Sequence, residues 1–344
     1  MKGNLNDFRG VWVLGEQRNG EISDVSYEII AWGRELADKL GEKLTVVILG
    51  NNLKDKVKTL IFRGADEVIA VDHPTLSFDA PDVHSNVLEF LTRKHKPEIF
   101  IASATTYGRT VMPIIAAKVE SGLTADCTGL DIDKETRLLI QTRPAIGGNV
   151  MATIKTPNHR PQMSTVRPHS RRPLSEDKSR EGRVVFENVP AELLKSKVEL
   201  LDFVKDETTE LPLQEADIVI SGGKGLKDSK NFKMLYELAS LLNGAVGASR
   251  QAVDMGWIPY SHQVGLSGKT VSPRLYMAIG ISGAVQHLAG MSSAEKIVAI
   301  NKDPDANIFK VSDFGIVGDL FDVVPLLIQK LKAIKKTGEE GGIK

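Results

Sequence analysis

The sequence predicts an α/β protein of two domains, each built on a parallel sheet. Three observations carry this. Apolar, β-rich runs alternate with helical patterns through the first third of the chain, which is the mark of βαβ units. The same alternation returns from residue 217 onward, after an intervening stretch of a different kind. And 344 residues exceed what a single core normally holds.

Residues 11–14 form a short apolar run, followed by a helical pattern over 22–40 with Gly41 as its stop. A β-rich run at 44–49 ends at Gly50. A helix through Ile61 leads by Gly64, Ala65 and Asp66 into a strand at 67–71. A helix at 83–95 precedes a strand at 99–102, and Tyr107, Gly108 and Arg109 open a helix through Val119. From 126 to 204 short strand-like runs dominate, at 138–140, 150–154, 163–166, 184–186 and 198–204. Residues 167–183 carry Arg167, Arg171, Arg172, Lys178, Arg180 and Arg183 among prolines and serines. This segment reads as an exposed basic loop, either a solvated surface or a contact for a partner subunit.

A polar stretch at 206–210 marks the boundary, so the domains are read as 1–205 and 206–344. The second begins with a strand at 217–220 and the loop Ser221, Gly222, Gly223, Lys224, Gly225. A helix covers 231–242, a strand edge at 245–248 leads to Ser249 and Arg250, and a long loop fills 254–273. A strand at 275–279 ends in Gly280, Ile281, Ser282 and Gly283, with a helix through Leu288. A strand at 297–300 ends at Asn301, and a terminal helix spans 323–331.

Composition excludes several classes. Lys+Arg and Asp+Glu are each 44, so the formal charge is zero and nucleic acid is not the expected partner. Cys127 is the one cysteine, which rules out an internal disulfide or a cysteine-based metal site, and it reads as a small buried residue. Asp303 and Asp305 stand without further ligands at metal-site spacing, so no metal is expected. The first residues lack the apolar core of a secretion signal, and no apolar run approaches the ~18 residues of a membrane span. A cytoplasmic protein without a membrane span is the expectation. No nucleophile elbow or H-E-x-x-H motif marks an acid–base enzyme.

In the second domain, strand after strand ends in small or polar residues: Ser221-Gly222-Gly223, Ser249-Arg250, Gly280 to Gly283, and Asn301-Lys302-Asp303. Ligands of open parallel sheets bind beyond the carboxyl ends of the strands. Glycines there let backbone N–H groups approach a phosphate, and a following helix offers its positive end. The loop Gly222–Gly225 is not G-x-G-x-x-G, so the standard NAD fingerprint is absent. Residues 265–270 imitate the end of a Walker A loop, but Gln263 stands where its first glycine belongs, so a P-loop is rejected. Arg250 past a strand and His287 one turn into a helix would together make a cationic corner, which a flavin that becomes anionic on reduction requires.

Four segments, 265–276 (GLSGKTVSPRLY), 280–287 (GISGAVQH), 297–303 (IVAINKD) and 315–319 (GIVGD), closely resemble the FAD-binding signature of electron-transfer flavoprotein alpha subunits, the FixB proteins included. The N-terminal half resembles the same family through 122–126 (GLTAD) and 143–149 (RPAIGGN), so the likeness covers nearly the whole chain. The resemblance implies a nucleotide-hydrolase-like N-terminal α/β domain that pairs with a beta subunit, and a Rossmann-like C-terminal domain that holds FAD. It implies that Ser249, Ser282 and Gly283 serve the pyrophosphate and ribityl region. Arg250 would lie over the isoalloxazine, Ser267 near N5, and Gln286 and His287 against the ring, with His287 near its C2 carbonyl. Asn301 and Asp319 would hold the adenosine end. Lys224, Val264, Gly265, Leu266, Ala284, Val285 and Leu320 complete the implied cofactor contacts. Lys224 replaces a frequent Arg, which turns a bidentate contact into a point charge. Leu266 stands where Gln is common, and Ser267 where Thr is common, so the hydroxyl survives.

The resemblance further implies a heterodimeric electron carrier that exchanges electrons with an acyl-CoA dehydrogenase or similar flavoenzyme. The N-terminal motifs look more like those of anaerobic bacterial members, which leaves open electron bifurcation with NADH and ferredoxin or flavodoxin. The alternative is a pyridine-nucleotide-dependent flavin oxidoreductase acting without a beta subunit, against which stands the missing dinucleotide fingerprint. A nucleotide-binding regulatory module without redox chemistry is a third reading.

Overall fold

The computed structural model describes residues 5–18, 20–145, 150–198, 200–201, 211–214 and 216–340. The chain divides into two compact units, Met1–Val204 and Lys205–Lys344. The polar stretch at 206–210 lies outside the described residues.

In the first unit the elements run β1 (Val11–Gly15), β2 (Gln17–Arg18), β3 (Glu21–Ile22), α1 (Asp24–Leu40), β4 (Leu44–Gly50), α2 (Lys58–Phe62), β5 (Glu67–Asp72), α3 (Pro81–His95), β6 (Ile99–Ser103), α4 (Thr106–Lys118), β7 (Leu123–Cys127), β8 (Gly129–Ile132), β9 (Leu139–Pro144), β10 (Met151–Ile154), β11 (Gln162–Val166) and β12 (Arg183–Phe186). Seven strands form one parallel sheet in the order β12-β5-β4-β1-β6-β11-β7. Strand alternation sends Val11 and Val13 to the face covered by α1 and α2, and Trp12 and Leu14 to the face covered by α3 and α4. Each face thereby gains its own apolar core. Helix α1 ends where Gly41 takes φ +66° and its N–H reaches back to the carbonyls of Ala37 and Asp38. Mid-helix Gly33 has a packing reason: a Cβ there would fall 2.5 Å from Val13 and 2.6 Å from Leu44, so glycine lets the helix approach the sheet.

The stretch from 126 onward is organised differently from its uniform sequence appearance. Strands β8, β9 and β10 make a separate antiparallel sheet, whereas β7, β11 and β12 join the parallel one. The strand expected at 198–204 does not form at the described Val198, Leu200 and Leu201, and the rest of that range lies outside the described residues. The basic loop is anchored over α1. Arg167 holds Asp126 at 3.1 Å, Arg171 pairs with Glu35 and stacks 4.6 Å from the Trp32 ring, and Arg180 holds Asp66 at 2.6 Å.

The second unit runs β13 (Ile218–Gly222), α5 (Phe232–Leu242), β14 (Ala245–Ala248), α6 (Arg250–Asp254), β15 (Leu275–Ile279), α7 (Val285–Leu288), β16 (Lys296–Asn301), β17 (Phe314–Val317) and α8 (Leu320–Glu340). Its five strands are all parallel, in the order β14-β13-β15-β16-β17. Helices α5 and α8 cover one face through Leu235, Leu238, Val324 and Ile328. The other face is covered by irregular chain and α7, with Val264, Val271, Met291 and Ile308 packed on Val219, Tyr276 and Ala278. Among the described residues, no helix is long and apolar enough to cross a membrane.

Candidate functional site

In a sheet of order 2-1-3-4-5 the chain first winds one way and then the other, and a crevice opens between strands 1 and 3. Here that point lies between β13 and β15. The loops that leave these strands meet at backbone distance: the Gly225 N–H donates to the Gly280 carbonyl at 3.0 Å, and a Cβ on Gly223 would fall 2.3 Å from that same oxygen. A cavity of about 650 Å³ opens there, and chain leaving all five strands contributes to its wall.

Lys224 comes from the loop after β13 and Ser249 and Arg250 from the end of β14. Val264, Gly265, Leu266 and Ser267 come from the long loop before β15, and Ser282, Ala284, Gln286 and His287 from the turn and helix after it. Asn301 ends β16, and Asp319 and Leu320 open α8. The structure brings all of these to one cavity. Gly283 and Val285 flank the wall without lining it. Gly283 sits at φ +83°, where a Cβ would meet Ile308 N at 2.3 Å, and Val285 is 61% exposed at the start of α7.

Lining residues beyond the implied cofactor contacts include Lys227, Gln251, Gln263, Ile281, Lys302 and Asp303. Lys302 and Asp303 lay within a quoted motif, and Gln263 is two residues before another. The amide of Gln263 is buried and donates to Ser267 Oγ at 3.1 Å, and the Tyr260 hydroxyl donates to the Ser267 carbonyl at 2.6 Å. Asp303 is held as a turn residue, its N–H on Asn301 Oδ1 at 3.0 Å, and the Asn301 amide donates to the Ile281 carbonyl at 2.9 Å.

The donor set suits a phosphate-bearing flavin dinucleotide. Ser249 precedes the first turn of α6 yet makes no capping bond, and its buried Oγ has no partner among the described residues. Such an orphan is costly unless a ligand completes it. Arg250 lies beside it with its side chain 69% exposed and 3.3 Å from Asp254. His287, which also lines the cavity, is buried, and its Nε2 lies 2.9 Å from the Tyr276 hydroxyl. Burial pushes the imidazole pKa down to about 4, with the Val264 backbone opposing in part. His287 is therefore neutral near pH 7 and supplies no charge to the expected cationic corner, which falls to Arg250 and the lysines.

Fold and site together define an α/β protein whose second unit carries a cavity suited to a dinucleotide. Residues 11–192 match the electron transfer flavoprotein domain model, and residues 212–292 match the electron transfer flavoprotein FAD-binding domain model. The electron transfer flavoprotein subunit alpha of Thermoanaerobacterium thermosaccharolyticum is 49% identical over 331 residues, covering 96% of this chain and 100% of the relative. The acryloyl-CoA reductase electron transfer subunit beta of Anaerotignum propionicum is 42% identical, over 95% of this chain and 97% of its own. The lactate dehydrogenase (NAD(+),ferredoxin) subunit LctC of Acetobacterium woodii is 38% identical, over 94% and 77%. The chain belongs to the electron transfer flavoprotein alpha-subunit family, and its second unit binds FAD.

Proposed function

We propose that the chain is the FAD-bearing subunit of a cytoplasmic, heterodimeric electron carrier, which takes electrons from a flavoprotein dehydrogenase of the acyl-CoA class and passes them to a second redox protein. The observation that carries this reading is the cavity at the ends of five parallel strands, lined by an unpartnered buried Ser249 hydroxyl and by a neutral buried His287. The name of the Anaerotignum relative supports an acyl-CoA-linked partner.

FAD supplies the redox chemistry, taking up and returning electrons singly or in pairs. The residues do the rest. Ser249, Ser282 and the glycine turns offer donors to phosphate and ribityl oxygens. Ile281, Ala306 and Leu320 provide apolar wall that excludes water and strengthens the remaining electrostatics. The Ser267 hydroxyl accepts from Gln263, so its own hydrogen is free to be donated into the cavity. Arg250 places a fixed charge at the mouth. Asn301 and Asp319 serve the adenosine end.

Pairing with a beta subunit is supported by apolar side chains left on the surface. In the first unit Val150 and Met151 are 65% and 53% exposed, and in the second the edge strand β17 exposes Phe314 and Val317. Edge strands of that character invite a covering chain. The test is coexpression with the beta subunit. The complex should be yellow, release FAD on denaturation, and be reduced by an acyl-CoA dehydrogenase and its substrate. Turnover with NADH by this chain alone would overturn the reading in favour of a stand-alone oxidoreductase. The name of the Acetobacterium relative supports a bifurcating variant, in which NADH reduces ferredoxin only when a second acceptor is present.

A further inference from the structure

His287 is held by the buried hydroxyl of Tyr276, a residue that does not line the cavity. Tyr276 lies on β15, fully buried, and its hydroxyl is 2.9 Å from His287 Nε2. Ser221, also fully buried, lies on the adjacent β13. In the parallel register Val219 is opposite Tyr276, so Ser221 is two residues on, along the same face of the sheet. Its hydroxyl lies near the phenol but makes no hydrogen bond of ordinary geometry with any described residue, the phenol included. At the far end, the Val264 backbone lies beside the imidazole. The Val264 N–H is already committed to the Ala248 carbonyl at 2.9 Å, so it is the Val264 carbonyl that lies near the imidazole, whose Nδ1 makes no hydrogen bond of ordinary geometry with the described residues.

We infer that Tyr276 is a positioning residue: through its hydrogen bond to Nε2 it holds His287 as the Nδ1–H tautomer, so that the imidazole meets the cofactor as a neutral hydrogen-bond donor. The hydrogen count decides the direction. If Tyr276 donates to Nε2, the buried phenol hydrogen has its acceptor, and Nδ1–H is left for an acceptor in the cavity or for the Val264 carbonyl. In the reverse arrangement Nε2–H donates to the phenol, and the phenol hydrogen has no acceptor, because Ser221 lies outside ordinary hydrogen-bond geometry. The Nδ1 lone pair then faces the Val264 carbonyl. A buried donor without a partner shifts such an equilibrium by tenfold or more. Burial also keeps the pair in the required protonation states, because it pushes the Tyr276 pKa up and that of His287 down to about 4.

This inference rests on the reading that His287 faces FAD, and its consequence is specific. The flavin edge beside His287 would meet a donor that stays uncharged through neutral pH, so fixed charge comes from Arg250 instead. The test uses the full chain with its beta subunit and isotope-labelled histidine. The imidazole nitrogen shifts are read with FAD bound and after its removal, and His287→Gln identifies the signal. The Nδ1–H tautomer is expected in both states, and an Nε2–H imidazole or an imidazolium at pH 7 overturns the lock. Tyr276→Phe should give mixed tautomers and make the first one-electron reduction about tenfold less favourable, a shift of ~59 mV. An unchanged tautomer in that variant overturns Tyr276 as the cause. A shifted tautomer with an unchanged potential overturns the placement of His287 at the cofactor. If Tyr276→Phe does not fold, the tautomer of the unaltered protein decides alone.

Discussion

Arg250 is the first residue of a five-residue helix and leans on Asp254, with its guanidinium largely in solvent. That exposure sets the size of what it can do. A charge-assisted hydrogen bond contributes about 1.5–3 kcal/mol, and solvent screening places Arg250 at the low end of that range. Arg250→Ala should therefore lower the first reduction potential of the bound FAD by roughly 65 mV, at ~59 mV per tenfold. Spectroelectrochemical titration of the variant complex checks this, and an unchanged potential removes Arg250 from the role. At this scale the sequence was informative where a residue sits inside a recurring motif, as Ser249, Ser282 and Asn301 do. It was silent where a role depends on which side chains meet across strands. Nothing in the spacing of Ser221, Tyr276 and His287 shows that they lie together, because β13 and β15 are adjacent only through the sheet order.

The turn between β15 and α7 shows how an element rather than a side chain builds the site. Gly283 contributes no atom to the cavity wall, yet its φ of +83° and the 2.3 Å approach of Ile308 N leave no room for a Cβ. Gly283→Ala should cost the second unit about 2–4 kcal/mol, from backbone strain and a steric clash together. FAD content after gel filtration and the melting temperature should both fall, and a variant with full FAD content and an unshifted melt would show that the turn can relax. Helical periodicity and glycine stops made α1, α3, α4 and α5 legible to within a few residues. Strands β9 to β12 were legible as strands but not as members of particular sheets, and β7 and β8 were not marked as strands. Short alternating runs do not say whether the next partner is the preceding hairpin or a distant edge, and β11 and β12 reach the parallel sheet without a regular crossover helix. Residues 167–182 form no helix or strand, and Arg183 opens β12. Arg167, Arg171 and Arg180 are committed to Asp126, Glu35 and Asp66, and that pairing could not be seen because the three acids lie elsewhere in the chain.

At the scale of the whole molecule, the apolar clusters fall within one unit or the other, and so do the groups that couple folding to pH. In the first unit Glu16 follows β1 and accepts from Thr105 Oγ1 at 2.8 Å, and burial raises its pKa to about 7. In the same unit burial pushes His84, bonded to the Tyr107 hydroxyl at 2.8 Å, down to about 4. The signs are opposite. A carboxyl whose pKa is raised on folding contributes stability below its unfolded value of 4.5 and loses it as pH rises through 7. A histidine whose pKa is depressed contributes stability above 6.5 and loses it as pH falls toward 4. The two slopes oppose one another between about pH 4.5 and 6.5, so their combined contribution changes little there and declines toward pH 8. The second unit has His287 with the depressed value and, among the groups that shift clearly, no buried carboxyl to oppose it, so acid weakens it steadily. FAD stabilises the unit that binds it, by ~2.7 kcal/mol at a hundredfold excess over Kd. Calorimetry of the complex should therefore show a transition that rises with added FAD and falls from pH 6.5 to 5, and another that ignores FAD. Glu16→Gln keeps an acceptor for Thr105 and removes the ionisation. It should stabilise the FAD-insensitive transition by about 1–3 kcal/mol at pH 8, leave it unchanged at pH 4.5, and leave the FAD-sensitive transition unmoved at either. An equal shift of both transitions, or a gain at pH 4.5 as large as that at pH 8, would show that Glu16 acts through packing and not through its proton.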